Sequence, residues 1–267
     1  MRIANVAAGG TKKHGSYGPR LLEWLRASGA NRPDIVTLQK VGPTKCFPTE
    51  ELGNLGYESQ IIGGRHSHLG VAVISHHDLA SPEVLSCGVP GTEDREARFL
   101  TVEVGGLWVS SVYVPYGPEK LGRERAIARR VEWLDRLRTH VHDERYAHRA
   151  SLLCGDFNVK FKKDLKPDES RGPLYSQAEE DALTELLDLG FYDVYRRVHS
   201  DRDEKPGRTR GYAESDKTHT GGTSRLHLIL ASKKLVPHLR DAQLDLRTKR
   251  PRPDAPPLLA EFEGIGA

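Results

Sequence analysis

The chain has 267 residues, of which 37% are hydrophobic and 29% are charged, with a formal net charge of +3 and a pI near 8.7. These values indicate a globular, rather polar protein that is too weakly basic to indicate nucleic-acid binding by charge alone. The cysteines have no paired spacing, and the N-terminus has no signal-peptide pattern, so we expect a cytoplasmic protein. No apolar run reaches the ~20 residues of a membrane span, so we expect no membrane partner. The length predicts a single domain over residues 1–267.

In chain order, short apolar runs of β-forming residues alternate with segments whose apolar residues recur at helical spacing. The predicted strands cover residues 1–6, 34–38, 69–75, 98–104, 107–114, 150–154, 226–231 and 258–262. The predicted helices cover residues 19–30, 119–142 and 179–189. Two charged segments rich in glycine or proline, 200–217 and 247–257, are predicted to be irregular. Because the strands come singly and in a hairpin, we expect a mixed α/β sandwich.

The predicted strand at 150–154 ends in Gly155-Asp156-Phe157-Asn158, which presents a carboxylate and an amide two residues apart. Cleavage of a phosphodiester requires groups that neutralise phosphate oxygens, activate water and support the leaving oxygen. Carboxylates that hold Mg²⁺, asparagine amides and an Asp–His pair commonly supply these functions. The end of this strand is therefore a candidate site for phosphate chemistry.

Eight sequence blocks extend this pattern along nearly the whole chain. They begin at Asn5-Val6 and continue as 34–39, 69–72, 96–98, 113–117, 155–158, 191–196 and 224–232. In composition and order the blocks resemble the exonuclease-endonuclease-phosphatase superfamily, and within it the exonuclease III-like AP endonucleases. The resemblance implies a four-layered α/β sandwich, with two mixed β-sheets packed face to face and helices outside. It also implies a Mg²⁺-dependent phosphodiesterase site.

The sequence departs from the family's pattern at the chemistry. The family's metal-ligating glutamate is Lys40, the aspartate that orients its catalytic histidine is His227, and that histidine is Ala255. The resemblance therefore implies a degenerate metal site. An ammonium cannot ligate Mg²⁺, but placed among Asp156 and Asp254 it could replace the ion as a positive charge.

Three functional hypotheses follow, of which the third is a pure binding module for DNA that the net charge does not favour. In the first, the chain is a repurposed family member without a metal or other cofactor, either a pseudoenzyme or an enzyme with metal-free acid–base chemistry on a small molecule. Its predicted catalytic residues are Lys40, Asp156 and His227. Its predicted substrate-binding residues are Asn5, Tyr113, Asn158, Arg225 and Asp254. The alternative is an active phosphodiesterase or AP endonuclease that binds nucleic acid and holds Mg²⁺ through rearranged ligands.

Simpler interpretations stay open for several of these residues. Lys40 fits a surface lysine at a strand end, His227 a hydrogen-bonded core histidine, and Tyr113 a packing residue. The histidine pairs at 66 and 68 and at 76 and 77 fit no metal-ligand spacing, so we expect them to be surface histidines.

Overall fold

The computed structural model describes residues 1–7, 17–63, 70–92, 97–116, 122–164, 175–199, 225–246 and 256–265. Its strands are β1 (Arg2–Ala7), β2 (Ile35–Val41), β3 (Tyr57–Ile62), β4 (Gly70–His76), β5 (Glu83–Cys87), β6 (Phe99–Val104), β7 (Leu107–Tyr113), β8 (Ser151–Asp156), β9 (Phe191–Asp193), β10 (His227–Ser232), β11 (Leu239–Leu244) and β12 (Leu258–Phe262). Its α-helices are α1 (Tyr17–Ser28), α2 (Thr49–Gly53), α3 (Arg123–Asp143), α4 (Gln177–Asp188) and α5 (Val194–Val198). Among the helices in these ranges, none combines the length and apolar character needed to cross a bilayer.

The described strands form two six-stranded sheets. The order is β11-β12-β1-β2-β4-β3 in the first sheet and β5-β6-β7-β8-β10-β9 in the second. Each sheet contains one parallel pair, β1 with β2 and β7 with β8, among antiparallel neighbours. The carboxyl ends of parallel strands lie at the same edge of a sheet. Each of these pairs therefore brings the residues that follow it to one place.

The alternation of side chains along the strands creates the layers. In β8, Leu152 and Cys154 belong to the apolar layer between the two sheets, whereas Leu153 packs with residues of α3 and α4. In β2, Leu38 packs with Trp24 of α1 on the outer face of the first sheet. The layers are thus helices, sheet, sheet and helices, which confirms the four-layered α/β sandwich.

The layer between the sheets changes from apolar to polar towards the carboxyl end of β1. Ile3 lies in the apolar cluster, whereas the Nδ2 of the buried Asn5 donates to the carbonyl oxygens of Gly155 at 3.0 Å and Leu228 at 3.2 Å. The hydroxyl of Thr37 in turn donates to Asn5 Oδ1 at 3.0 Å. Asn5 thereby joins the two sheets, and both its donor and its acceptor are satisfied.

Gly155 is required by the close approach of β7 and β8. A Cβ atom at this position would lie 2.1 Å from the carbonyl oxygen of Val112, which is backbone and cannot turn aside. Only glycine fits such a contact. The glycine that precedes Asp156 is therefore explained by strand packing rather than by chemistry.

Every predicted strand and helix corresponds to an observed element. The helix predicted at 119–142 is observed as α3 and begins at Arg123, directly after Gly122. The structure adds four strands, β3, β5, β9 and β11, and the short helices α2 and α5. The segment predicted to be irregular at 200–217, and residues 247–255 of the second such segment, lie outside the described residues.

Candidate functional site

The predicted catalytic residues meet at the edge where the parallel strands end. Asp156 closes β8, and it lies in register with Tyr113 at the end of β7 and with His227 at the start of β10. Lys40 comes from β2 in the facing sheet. The site is therefore built from strand ends of both sheets, which hold its side chains on rigid elements.

The carboxylate of Asp156 is the centre of this group and is only 1% exposed. Its Oδ2 lies 3.0 Å from the Nζ of Lys40 and 3.6 Å from the Nε2 of His227. Its Oδ1 accepts the backbone N–H of Asn158 at 3.2 Å. A buried carboxylate is costly unless it is paired, and Lys40 supplies the pairing charge here.

These neighbours control the protonation of the site. Burial acts to raise the pKa of Asp156, but the charges and hydrogen bonds of Lys40 and His227 outweigh it and hold that pKa well below its usual range. Burial raises the pKa of the Tyr113 phenol, partly opposed by the ammonium of Lys40. At neutral pH the site therefore presents an ionised carboxylate beside a protonated phenol, which is a hydrogen-bond donor.

The depressed pKa makes the stability of the protein depend on pH in a predictable way. At about pH 7 we expect Asp156→Asn to lower the free energy of unfolding by about 2–3 kcal/mol, since the variant loses the ion pair with Lys40, whose side chain still reaches solvent. Because the folded-state pKa lies below the unfolded value of about 3.9, this difference should persist down to about pH 5 and narrow as the pH falls further. Urea unfolding followed by tryptophan fluorescence across this range measures it.

The exposed Asp143 provides the matched control. Its side chain is 65% exposed at the end of α3. Asp143→Asn should change the free energy of unfolding by less than about 0.5 kcal/mol at every pH. In the unfolded chain the pKa of an aspartate is about 3.9. A loss of unfolding free energy in Asp156→Asn that stays constant from about pH 7 to below about pH 3 would therefore contradict the assigned ionisation of Asp156.

The backbone at two of these residues adopts an uncommon conformation. Lys40 has φ 63° and Asn158 has φ 51°, in the left-handed region that residues other than glycine rarely occupy. The pairing of β2 with β4 shifts between Gln39 and Val41, so Lys40 lies in a β-bulge. Bulges change the direction of a side chain, and strain of about 1 kcal/mol or more collects at functional sites. The backbone itself therefore orients Lys40.

Arg98 is a site neighbour that was not among the predicted site residues. It is 4% exposed, and its guanidinium carbon lies 4.5 Å from the centroid of the Tyr113 ring. The Nζ of Lys40 lies 5.9 Å from the same centroid. Arg98 belongs to the sequence block 96–98, one of those that resemble the family. This membership was the signal in the sequence that could have identified Arg98 as a site residue.

Arg225 lies in a buried charge network. Its side chain is 0% exposed, and its Nη2 lies 2.5 Å from Asp193 Oδ2 and 3.3 Å from Asp164 Oδ2. Arg196 pairs with Asp164 as well. Since Asp164 follows Asn158 in the chain, the network ties that segment to the start of β10.

The structure brings together five predicted site residues, namely Lys40, Tyr113, Asp156, Asn158 and His227. Asn5 lies beneath them with its amide engaged between the sheets. Asp254 and Ala255 lie outside the described residues. The roles assigned to all of these residues, and to Arg225, stay predictions.

A Mg²⁺ ion, which the resemblance implies, takes oxygen ligands in a near-octahedral shell. Around Asp156 the described residues instead offer the ammonium of Lys40, which repels a dication. Within the described ranges, the group of three or more His, Cys, Asp or Glu donors close enough to share an ion is His76, His77 and Asp78, away from this site. At Asp156 the described residues thus offer Mg²⁺ an ionised carboxylate with the ammonium of Lys40 3.0 Å away, and this ion pair opposes binding of the ion there.

Known proteins resemble the chain over most of its length. It is 29% identical over 267 residues to an exodeoxyribonuclease of Streptococcus pneumoniae, covering 90% of each protein. It is also 30% identical over 195 residues to Recombination repair protein 1 of Drosophila melanogaster, a match that covers 68% of this chain and 27% of that protein. The chain thus spans about a quarter of the length of the Drosophila relative.

Two solved structures share the fold. An AP endonuclease from Archaeoglobus fulgidus is 25% identical, with a TM-score of 0.81 and coverage of 98% of this chain and 99% of its own. The 3′ phosphatase NExo from Neisseria, bound to a product DNA hairpin, is 26% identical, with a TM-score of 0.77 and the same coverage.

A family model matches residues 4–224, a span that contains Asn5, Lys40, Tyr113, Asp156 and Asn158. The match covers well over half of the chain and agrees with the two-sheet architecture and with the relatives. On these grounds the chain belongs to the Endonuclease/Exonuclease/phosphatase family.

Proposed function

We propose that this protein acts on phosphoester bonds of nucleic acid at the site around Asp156, as a phosphoesterase of the AP-endonuclease type. The observation that carries the proposal is the meeting of Asp156, Asn158 and Tyr113 at one sheet edge, in the order of the family's blocks. The names of the relatives support it, as does the DNA hairpin in the Neisseria structure.

The residues of the site offer complementary groups to a phosphate. The ammonium of Lys40 provides a positive charge for its oxygens, and the protonated Tyr113 hydroxyl provides a hydrogen-bond donor. Asp156 stays ionised and holds Lys40 in position. A divalent ion, if the protein uses one, would need ligands from beyond the described residues, such as Asp254.

A second candidate function is favoured by one contact, the 3.0 Å pair of Lys40 and Asp156. In this interpretation the ammonium replaces the divalent ion, and the protein binds nucleic acid without metal-dependent cleavage. Lys40 and His227 remain the proton-transfer groups if the protein has metal-free chemistry. The relatives are named for nucleases and DNA repair, so they lend no support to a small-molecule substrate. We also propose a cytoplasmic location, supported by the three free cysteines.

A cleavage assay on a duplex with one abasic site distinguishes the two functions. If the first is correct, the protein cuts the duplex with Mg²⁺ or Mn²⁺, and Asp156→Asn lowers the rate by at least about 100-fold. Asp143→Asn, purified in the same way, should retain full activity. A contaminating nuclease would be equally active in both preparations, so a loss confined to Asp156→Asn excludes one.

If the second is correct, no cleavage occurs with either metal. Fluorescence anisotropy in EDTA should then detect duplex binding that weakens as salt rises, because phosphate contacts release counterions. Absence of both cleavage and salt-dependent binding would contradict both functions.

A further inference from the structure

A second cluster of polar side chains lies in the first sheet, beside the start of β2, whereas Lys40 lies near the end of that strand. His76 ends β4, and its backbone N–H donates to the carbonyl oxygen of Asp34, just before β2 begins. His77 and Asp78 follow in the turn. The donor atoms of the three side chains all lie within 4.8 Å of one another.

The distances within the cluster suit a shared cation. His76 Nδ1 lies 3.2 Å from Asp78 Oδ2, and His77 Nε2 lies 3.3 Å from Asp78 Oδ1. Metal–ligand bonds of 2.0–2.1 Å in a tetrahedral site place neighbouring donors about 3.3 Å apart. Both histidine–carboxylate distances match this spacing, each to a different carboxylate oxygen, and the donor atoms of the two imidazoles lie within 4.8 Å of each other.

The hydrogen bond of the His77 ring leaves its Nε2 as the nitrogen that faces the carboxylate. His77 Nδ1 lies 2.9 Å from the carbonyl oxygen of Gly56, which only accepts, so this nitrogen carries the proton. The Nε2 of a neutral His77 then faces Asp78 without a proton. The lone pair of His76 Nδ1 accepts the backbone N–H of Asp78 at 3.4 Å, a long contact that an ion would displace. The lone pair of His77 Nε2 and the carboxylate repel each other unless a proton or a metal ion lies between them.

The surroundings hold both rings in this arrangement. The rings stack at 4.5 Å, and Tyr57 packs edge-on against His76 at 5.5 Å. Gly56 has φ 87°, and a Cβ there would come within 2.8 Å of His77 Nδ1 and 2.9 Å of His76 Nε2. The carbonyl contact to His77 is the kind of outer interaction that fixes the tautomer of a metal-binding histidine.

From this geometry we infer that His76, His77 and Asp78 form a surface site for a first-row transition-metal dication such as Zn²⁺ or Co²⁺. Two imidazoles and a carboxylate are donors that such ions prefer, and three protein ligands leave a position for water or another ligand. His77 and Asp78 are 60% and 76% exposed, so an ion has direct access. The inference goes beyond the expectation, drawn from spacing alone, that these are surface histidines, and the titration below tests it.

Titration of the untagged protein with Co²⁺, followed by visible absorption, tests the inference, with Zn²⁺ competition as a second readout. We expect one equivalent to bind, and His77→Ala and Asp78→Asn each to weaken it by at least about 10-fold. The control is His142→Ala. His142 is an exposed histidine whose Nδ1 lies 3.1 Å from Asp143 Oδ1, and among the residues that the structure describes it belongs to no group of three such donors.

Gly56→Ala tests the geometry of the site without removing any of the three metal-binding side chains. Its methyl group should displace the rings of His76 and His77 and thereby weaken Co²⁺ binding. Binding that is unchanged in His77→Ala and Asp78→Asn, or that falls equally in His142→Ala, would overturn the inference. Because none of these residues contacts Asp156, the result is independent of the proposed function.

Discussion

Under the second candidate function, Lys40→Glu is expected to give the protein an affinity for Mn²⁺ at least about 100-fold above that of the native chain. The substitution removes an ammonium that lies 3.0 Å from Asp156 and puts a second carboxylate in its place. Two carboxylates at one strand edge attract a dication that Lys40 repels. The free-ion electron paramagnetic resonance signal of Mn²⁺ during a titration measures this affinity directly, without any assay of activity.

Lys45→Glu makes the same change in net charge at an exposed residue that follows Lys40 closely in the sequence. It should leave the Mn²⁺ affinity within about threefold of the native value, since exposed charges are screened. Equal gains in Lys45→Glu and Lys40→Glu, or tight Mn²⁺ binding by the native chain that Asp156→Asn abolishes, would show that Lys40 does not take the place of an ion.

Arg225→Ala is expected to lower the free energy of unfolding by about 3–5 kcal/mol. The guanidinium is fully buried between Asp164 and Asp193, and its loss leaves buried carboxylates with incomplete pairing. Arg225→Lys keeps the charge but not the planar fork, so it should cost less than the alanine variant. Chemical unfolding at pH 7 gives both values.

An exposed arginine provides the comparison. Arg240 pairs with Glu263 at 2.6 Å, with side chains 53% and 72% exposed, so Arg240→Ala should have an effect of less than about 1 kcal/mol. If Arg225→Ala proves that mild, the buried network contributes little to stability. Adding Asp193→Asn to Arg225→Ala should recover part of the loss, because it removes one of the unpaired charges.

The strands that the sequence did not predict share a position in the fold. β3, β5, β9 and β11 are the outer strands of the two sheets. Edge strands bury less surface than central strands, as in β5, where the apolar side chains of Val84 and Leu85 are exposed. Central strands such as β8 are buried along their whole length and show an apolar run. The sequence signal therefore follows burial, and it weakens where one neighbour is missing.

The candidate site was predictable to a different degree at each residue. Lys40 and Asp156 each follow an apolar run, and the observed pair joins two strand ends that the sequence identified. The bulge at Lys40 has no comparable signal in the local sequence, because it arises from the pairing of β2 with β4. The partners of Arg225 were also hidden, since Asp164 and Asp193 are distant in sequence and meet it only through the tertiary fold.

The bulge in β2 also has an evolutionary consequence. Because the main chain determines the direction in which residue 40 points, glutamate and lysine at this position would both reach Asp156. A glutamate codon becomes a lysine codon through a change of its first base. Under the second candidate function, a single point mutation in an ancestral gene would have removed the glutamate that bound the ion and introduced the lysine that replaces the ion. No intermediate would then have lacked both the ion and a replacement charge.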